Sequence, residues 1–358
     1  MSFRRPVVAV GVTALALAGP ATASAATKTV DAGTPPSAGK QFEKLGADVN
    51  AFFPRTVTIN AGDSVQFNPV GFHNADFPKK GGAGQPLFIP TGQKASGAND
   101  AAGAAFWFNG QDTFGFNPVL LPPGLFGKTV SYTGAKAVNS GLPLAAKPKP
   151  YKLKFPKAGT YNYFCDVHPG MKGTVKVLPK GKKVPTAAQD AARKKAQVDT
   201  ALKTAKSLQN TTPATGTVSV GAAGPHGEEI FAFFPSKVTV PVGSTLRFAM
   251  AKDSFEAHTA TTGPGNPEKE RDSYLGKLAA SFESPTLDPA ALYPSDPPPA
   301  VPGLTPTSHG NGFWNSGVID TASASPVPDS ASVRFDAPGT YEFYCLIHPM
   351  MHGTVTVQ

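Results

Sequence analysis

The sequence predicts an all-β protein built from two copies of one sandwich-like domain. Three observations carry this: 37 Gly and 37 Pro among 358 residues, an apolar/polar alternation of period two, and an ordered internal repeat. Gly and Pro at that density mark many turns. A chain of this length exceeds one ordinary sandwich domain and suits two.

The repeat has three blocks in the same order. Ala51-Phe52-Phe53-Pro54 through Gly62 to Phe67 matches Ala232-Phe233-Phe234-Pro235 through Gly243 to Phe248. Asn139-Ser140-Gly141 matches Asn315-Ser316-Gly317. Phe155–Val177 and Phe335–Val357 agree at about half their positions, which implies two copies of one fold. Within each copy, Val57 and Ile59 alternate with Thr56 and Thr58, and Val355 and Val357 with Thr354 and Thr356. That is the pattern of half-buried strands. Gly62, Gly159, Gly243 and Gly339 stand where turns join such strands.

The segments between and before the copies differ in kind. Arg4 and Arg5 precede an apolar run from Val7 to Ala18 and a small-residue stretch ending Ala23-Ser24-Ala25. This reads as a signal peptide over residues 1–25, hence export to a periplasm or the exterior. The run is too short to span a bilayer, and no integral membrane segment is expected after its removal. Of the formal charge of +9, most lies between Lys180 and Lys206, where eight Lys/Arg face two Asp. The two domains, expected at 26–179 and 213–358, are then nearly neutral. The basic segment is a linker over 180–212 and not a nucleic-acid-binding face. Thr186 with Gln189 three residues later reads as a capping box. Val198, Leu202 and Ala205 follow at helical spacing. The linker is therefore expected to be helical, a spacer packed lightly on one domain. A docking helix for an acidic partner or an anionic surface is the alternative.

The two cysteines, Cys165 and Cys345, occupy the same place in each copy. A disulfide is the default for an exported protein. The spacing argues against it: Cys165-x-x-His168-x-x-Met171 and Cys345-x-x-His348-x-x-Met351 are repeated. A thiolate, two imidazoles and a weak axial thioether make up a blue-copper ligand set. A further histidine is needed from elsewhere, and His73 and His258 stand at equivalent places after the Phe67 and Phe248 strands. Met350 adjoins Met351, but Met351 aligns with Met171 and Met350 with Gly170.

These blocks resemble the cupredoxin family, which includes plastocyanins, pseudoazurins and amicyanins. The resemblance rests on the early Phe-x-Pro…Gly…Phe strand pair, the isolated histidine followed by Asn74 or Thr259, the Asn-Ser-Gly element and Gly-Thr-Tyr-x-[Tyr/Phe]-x-Cys-x-x-His-Pro-x-Met-x-Gly. It covers the cores of both domains, not the linker or the long segments 74–164 and 259–344. It implies two cupredoxin-type Greek-key β-sandwich domains joined by a short helical linker, with two copper ions per chain. The ligands would be His73, Cys165, His168 and Met171 in one domain and His258, Cys345, His348 and Met351 in the other. The family places its downstream histidine at a partly exposed edge through which electrons pass, a role for His168 and His348. The residue after the first histidine ties down the cysteine loop, a role for Asn74 and, less fully, Thr259.

The expected function is one-electron transfer with a redox partner protein, by a monomer. The alternatives are copper binding, buffering or delivery to a copper acceptor, and an extracellular interaction module. Catalysis is not expected: copper oxidases place a histidine beside the cysteine and use His-x-His pairs, whereas Phe164 and Tyr344 stand there and no His-x-His occurs. His226, His309 and His352 are expected to be solvated loop residues. Phe106-Trp107-Phe108 predicts that the first long segment packs on something, with its own sandwich favoured.

Overall fold

A computed structural model describes residues 25–121, 124–322, 325 and 327–358. The expected signal peptide lies outside them except for its last residue. Each half is a pair of sheets closed over one apolar core. In the first half, Phe52–Phe53, Thr27–Ala32, Ser64–Pro69, Tyr151–Lys154 and Thr129–Ser131 lie side by side in one sheet. Val138–Asn139, Asp76–Phe77, Gly159–Phe164, Lys172–Leu178 and Thr56–Asn60 form the other. The second half repeats this plan. Gly303–Leu304, Ser330–Phe335, Thr245–Met250, Thr217–Ala223 and Glu228–Phe234 face Lys237–Val240, His352–Val357, Gly339–Tyr344, Thr261–Thr262 and Trp314–Asn315. The protein is all-β, as two cupredoxin-type sandwiches joined by a helix.

The alternating residues fill the cores. Val57, Ile59, Val65 and Phe67 are fully or almost fully buried, while Thr56, Thr58, Ser64 and Gln66 between them are half-buried. Phe67, Phe77, Phe155 and Tyr163 interlock beneath the first site. Phe248, Phe335 and Phe343 do the same beneath the second. Each such side chain contributes roughly 1.5–3 kcal/mol by leaving water. That exceeds the about 0–1 kcal/mol of a surface ion pair, so the cores and not the surface charges hold the halves.

The connecting helix runs Ala187–Leu208, with the Thr186–Gln189 capping box formed in both directions. It is more than a light spacer on one domain. Toward the first half, Asp190 pairs with Lys28 at 2.6 Å, Lys194 pairs with Asp31, and Gln197 donates to the Phe52 carbonyl at 2.8 Å. Ala201 and Ala205 share an apolar cluster with Phe42, Phe53, Ala222 and Ile230, drawn from both halves. Small alanines on one helix face allow this close approach to two sheets.

The halves are tied together in two further ways. Ala47–Val49, from the first half of the sequence, adds an antiparallel strand to the edge of Glu228–Phe234. The long segments also pack on each other. Ala95, Phe106 and Phe108 join Leu275, Leu278, Ala291, Phe313 and Leu346 in one cluster. Trp107 Nε1 donates to the Pro294 carbonyl at 2.8 Å, and the Tyr293 hydroxyl to the Asp112 carbonyl at 2.7 Å. The Phe106-Trp107-Phe108 stretch therefore covers the opposite half, not its own sandwich. The second long segment supplies the matching apolar surface on the helices Tyr274–Ser281 and Pro289–Leu292. Among the described residues, no helix is long and apolar enough to cross a membrane.

Candidate metal centres

The repeated blocks act as a positioning frame. In each half a hairpin carries the cysteine at the end of one strand and the methionine at the start of the next. The last paired residues are Phe164 with Lys172 and Tyr344 with His352. The loop between them is closed at both ends. Cys165 N donates to the Met171 carbonyl at 3.0 Å, and Cys345 N to the Met351 carbonyl at 3.1 Å. Met171 and Met351 donate in turn to the carbonyls of His168 and His348. Both methionines are buried in the same apolar clusters as their cysteines.

The upstream histidine arrives by matching register. Asp76 pairs with Phe164, and Thr261 with Tyr344, so His73 and His258 each stand three residues before a partner of the cysteine strand. The Asn-Ser-Gly element pins that segment. Asn139 pairs with Asp76 and Asn315 with Thr261. Ser140 Oγ accepts from Ala75 N at 3.0 Å, and Ser316 Oγ from Ala260 N at 2.8 Å. Asn74 Oδ1 accepts from Asp166 N at 2.7 Å, and Thr259 Oγ1 from Leu346 N at 2.8 Å. Thr259 thus clamps the cysteine loop as Asn74 does, and its own N–H also reaches the Cys345 sulfur at 3.4 Å.

The outcome is two buried clusters, His73–Cys165–His168 and His258–Cys345–His348, with the donor atoms of each within 4.8 Å of one another. Cys165 Sγ lies 3.9 Å from His73 Nδ1 and 3.5 Å from His168 Nδ1. Cys345 Sγ lies 3.5 Å from His258 Nδ1 and 3.7 Å from His348 Nδ1. An ion held trigonally at about 2.0 Å by nitrogen and about 2.3 Å by sulfur keeps those donors about 3.7 Å apart. The donor spacing fits a metal ion. The two cysteines are free and not bonded to each other.

Electrostatics suit the same chemistry at three of the four imidazoles; at His168 burial is outweighed by Glu256 and then Cys165, which hold it well above the ordinary value. Burial, then the neighbouring His168, holds His73 well below the ordinary imidazole value. Burial and His348 push His258 down to about 3. Neutral imidazoles are the ligating form. Burial pushes the Cys345 thiol up to about 11 against the backbone N–H groups that favour its thiolate. A bound cation would supply the missing compensation.

Sequence reasoning missed three features of the site. Gly33 and Gly221 cradle the upstream imidazoles at positive φ of 104° and 85°. A Cβ at Gly33 would lie 2.5 Å from His73 Cδ2, and one at Gly221 would lie 3.1 Å from His258 Nε2. Glycines at equivalent places, Gly33 directly after the strand Thr27–Ala32 and Gly221 within Thr217–Ala223, were the available signal. The third feature is Glu256, buried between the halves. His168 Nε2 lies 3.2 Å from its Oε1 and His348 Nε2 3.6 Å from its Oε2. Burial opposes the ionised form, but His168 and then His348 and His258 outweigh it and hold the carboxyl well below its usual range. Its signal was a carboxylate two residues before His258, where the first repeat has Gly71.

The downstream imidazoles also depart from the expected exposed edge. His168 is 7% exposed and His348 is half-buried. The second half sets Glu256 against His168 and Phe255 against Gly170 of the same loop, and the two edges face a common groove with Phe72, Val167 and Met350. Of the remaining histidines, His226 and His352 are exposed. His309 is not simply solvated: Asp100 lies 3.3 Å from its Nδ1 and Asp296 3.5 Å from its Nε2.

Paired sheets holding a buried thiolate between two imidazoles define a blue-copper class of protein. The profile of the copper binding proteins, plastocyanin/azurin family, matches residues 100–178. Plastocyanin of Scenedesmus fuscus is 31% identical over 138 residues, covering 37% of this chain and 95% of that one. Among solved structures, auracyanin A of Chloroflexus aurantiacus is 17% identical, with 40% of this chain and 96% of that chain covered at a TM-score of 0.25. Amicyanin of Paracoccus versutus is 19% identical, with 44% and 83% covered at a TM-score of 0.21. The chain belongs to the plastocyanin/azurin family of copper-binding proteins.

Proposed function

We propose that the chain is an exported carrier of single electrons with one copper ion in each half. The observation that supports this most directly is the matched pair of buried thiolate–imidazole clusters, each with a buried methionine in its loop. His73, Cys165, His168 and Met171 would hold one ion, and His258, Cys345, His348 and Met351 the other. Copper so held supplies reversible one-electron redox chemistry.

The chain's own residues favour a carrier over a delivery protein. The ligands are fixed by strand register and by the Asn74 and Thr259 clamps, so little rearrangement accompanies a change of charge. Five of the six cysteine and histidine ligands are buried and the sixth half-buried, which opposes transfer to an acceptor. Phe164 and Tyr344 precede the cysteines where a further histidine would lead to a second copper, which supports a carrier and not an oxidase. Phe72, Leu144 and Met350 expose apolar surface around the groove onto which His168 and His348 open, a surface suited to a redox partner protein.

The test is to load the mature protein with Cu(II), record its visible spectrum and count copper per chain. Two equivalents and an intense thiolate-to-copper band are expected. Cys165→Ser and Cys345→Ser should each remove about half of that band. A pale spectrum at two equivalents would leave metal binding without the carrier.

A further inference from the structure

We propose that the base of the first half, the end farthest from its metal loop, is a docking face for an anionic lipid surface, on which the chain stands with its second half outward. The inference goes beyond the carrier reading and does not depend on it.

Charge is divided between the halves, and the near-neutrality expected of each does not hold. Residues 26–179 carry 16 Lys/Arg against 8 Asp/Glu, and residues 213–358 carry 7 against 14. The basic linker adds its excess to the first half, where Asp190 and Lys194 anchor it. The chain is therefore a strong electric dipole.

Topology gathers much of the positive charge at one end. Gly159 pairs with Val177, Asn60 with Leu178 and Ser64 with Lys154, so these strand ends share one end of the sandwich. Hydrogen bonds tie the turns beyond them together. Gly62 N donates to the Phe155 carbonyl at 2.8 Å, Ala61 N to the Leu178 carbonyl at 2.8 Å, and Asn60 Nδ2 to the Lys182 carbonyl at 2.9 Å. Lys154, Lys157, Lys176, Lys180, Lys182 and Lys183 are exposed there. Among the described residues none of the six forms an ion pair. The nearby carboxylates are already engaged: Asp63 is buried and accepts from Ala26 N and Asn60 N, and Asp190 pairs with Lys28. The fold does not require these lysines. The second repeat builds the same hairpin with Ala337 in place of Lys157 and Thr356 in place of Lys176.

The side chains indicate the kind of partner. Lysine is a point charge on a flexible stem and lacks the planar fork with which arginine grips one carboxylate or phosphate. Six lysines and no arginine suit a diffuse layer of anionic headgroups better than the fixed carboxylates of a protein. No large apolar side chain is exposed on these turns, so the face adsorbs by charge and does not insert. The strand Gly159–Phe164 sets the metal loop about 17 Å above this base. The second half lies at that far end, with Phe255 against Gly170. Its excess of Asp/Glu is repelled by the surface that attracts the base, which fixes the orientation.

The experiment sediments the chain from Ala26 onward, without the apolar run before it, with vesicles of equal parts phosphatidylglycerol and phosphatidylcholine or of phosphatidylcholine alone. Binding is expected only to the first, and should be lost on passing from about 0.1 M to about 1 M salt, where the screening length falls from about 10 Å to about 3 Å. A lysine close to such a surface contributes about fivefold in affinity. The triple variant Lys157→Glu, Lys180→Glu, Lys183→Glu should therefore weaken binding by at least about a hundredfold. Lys40→Glu, Lys203→Glu, Lys206→Glu makes the same change of charge beside the far end of the connecting helix and should cost less than about tenfold. Hydrogen exchange of the bound wild-type chain should slow at residues 157–159 and 178–183 and not in the second half.

Equal binding to both kinds of vesicle would overturn the proposal. Equal weakening by the two triple variants would do the same, since net charge and not a face would then be at work. Capture of soluble polyphosphate without binding to either vesicle would assign the lysines to an anionic polymer and end the lipid reading.

Discussion

The ring of Phe255, from the second half, lies against Gly170 in the cysteine loop of the first. A Cβ at Gly170 would stand 2.5 Å from Phe255 Cε1, and the residue has a φ of 111°. The second repeat places Met350 here, and that side chain is 52% exposed. The glycine therefore admits the neighbouring half. Gly170→Ala should cost about 1–3 kcal/mol through overpacking and backbone strain. A fall in denaturation midpoint with both thiolate bands intact is expected. An unchanged midpoint would show that the ring yields freely.

The glycine cradles predict a separation of the two centres. At Gly33 a methyl group would meet both His73 and the Val70 carbonyl, the latter a backbone atom that cannot swing aside. At Gly221 the nearest atom is the His258 ring at 3.1 Å, a tighter contact than usual but not a collision. Gly33→Ala should therefore lower the copper count to one per chain. Gly221→Ala should keep both ions and shift the second band. Two full, unshifted bands in Gly33→Ala would remove the cradle as a determinant of ligand geometry.

Asp76 predicts a pH dependence of stability. Burial, then the neighbouring Asp166 carboxyl, pushes its pKa up to about 7. Tyr132 and Tyr151 also face it, Asn139 is the neighbour that stabilises its charge, and its Oδ2 is buried without a partner. Because the folded value exceeds the unfolded value of 3.8, the folded chain binds more protons between them. Stability should fall as pH rises from about 4 to 7, then level off. Asp76→Thr, the residue of the second repeat, should flatten that slope and gain roughly 1–3 kcal/mol at pH 8. Thermal midpoints at pH 5 and pH 8 measure it.

His309 adds a smaller contribution of the same sign. Its hydrogen bond to Asp296, against burial and with help from Asp100, raises its pKa above the ordinary 6.5. That stabilisation is complete below about pH 6.5 and is lost as pH passes the folded value. The side chain retains contact with water, so about 1 kcal/mol is the upper bound. His309→Asn should lower the midpoint at pH 6 and leave it unchanged at pH 9. Equal losses at both would assign His309 a packing role beside Phe106.

The ligands and the repeated fold were legible in the sequence because each is encoded locally. Cys165, His168 and Met171 sit in one hairpin loop, and the alternation of Val57 and Ile59 with threonines reports which face is buried. The linker helix was legible through its cap. What joins the halves was not. Asn50 and Glu256 meet across 206 positions, and a contact of that span leaves no period or spacing in either segment. The same holds for Phe106 against Phe313. Composition told that the aromatics were buried but not beneath which surface.

The strand Ala47–Val49 has a consequence for any attempt to divide the chain. Cut at the connecting helix, the gene for the C-terminal portion would encode a sheet whose Glu228–Ile230 border has lost its neighbour. Such a bare border recruits other chains, so that fragment should self-associate. The N-terminal fragment would keep a short ribbon with nothing to lie against. The smallest piece of this protein that can be moved intact into another polypeptide is therefore the entire two-lobed unit.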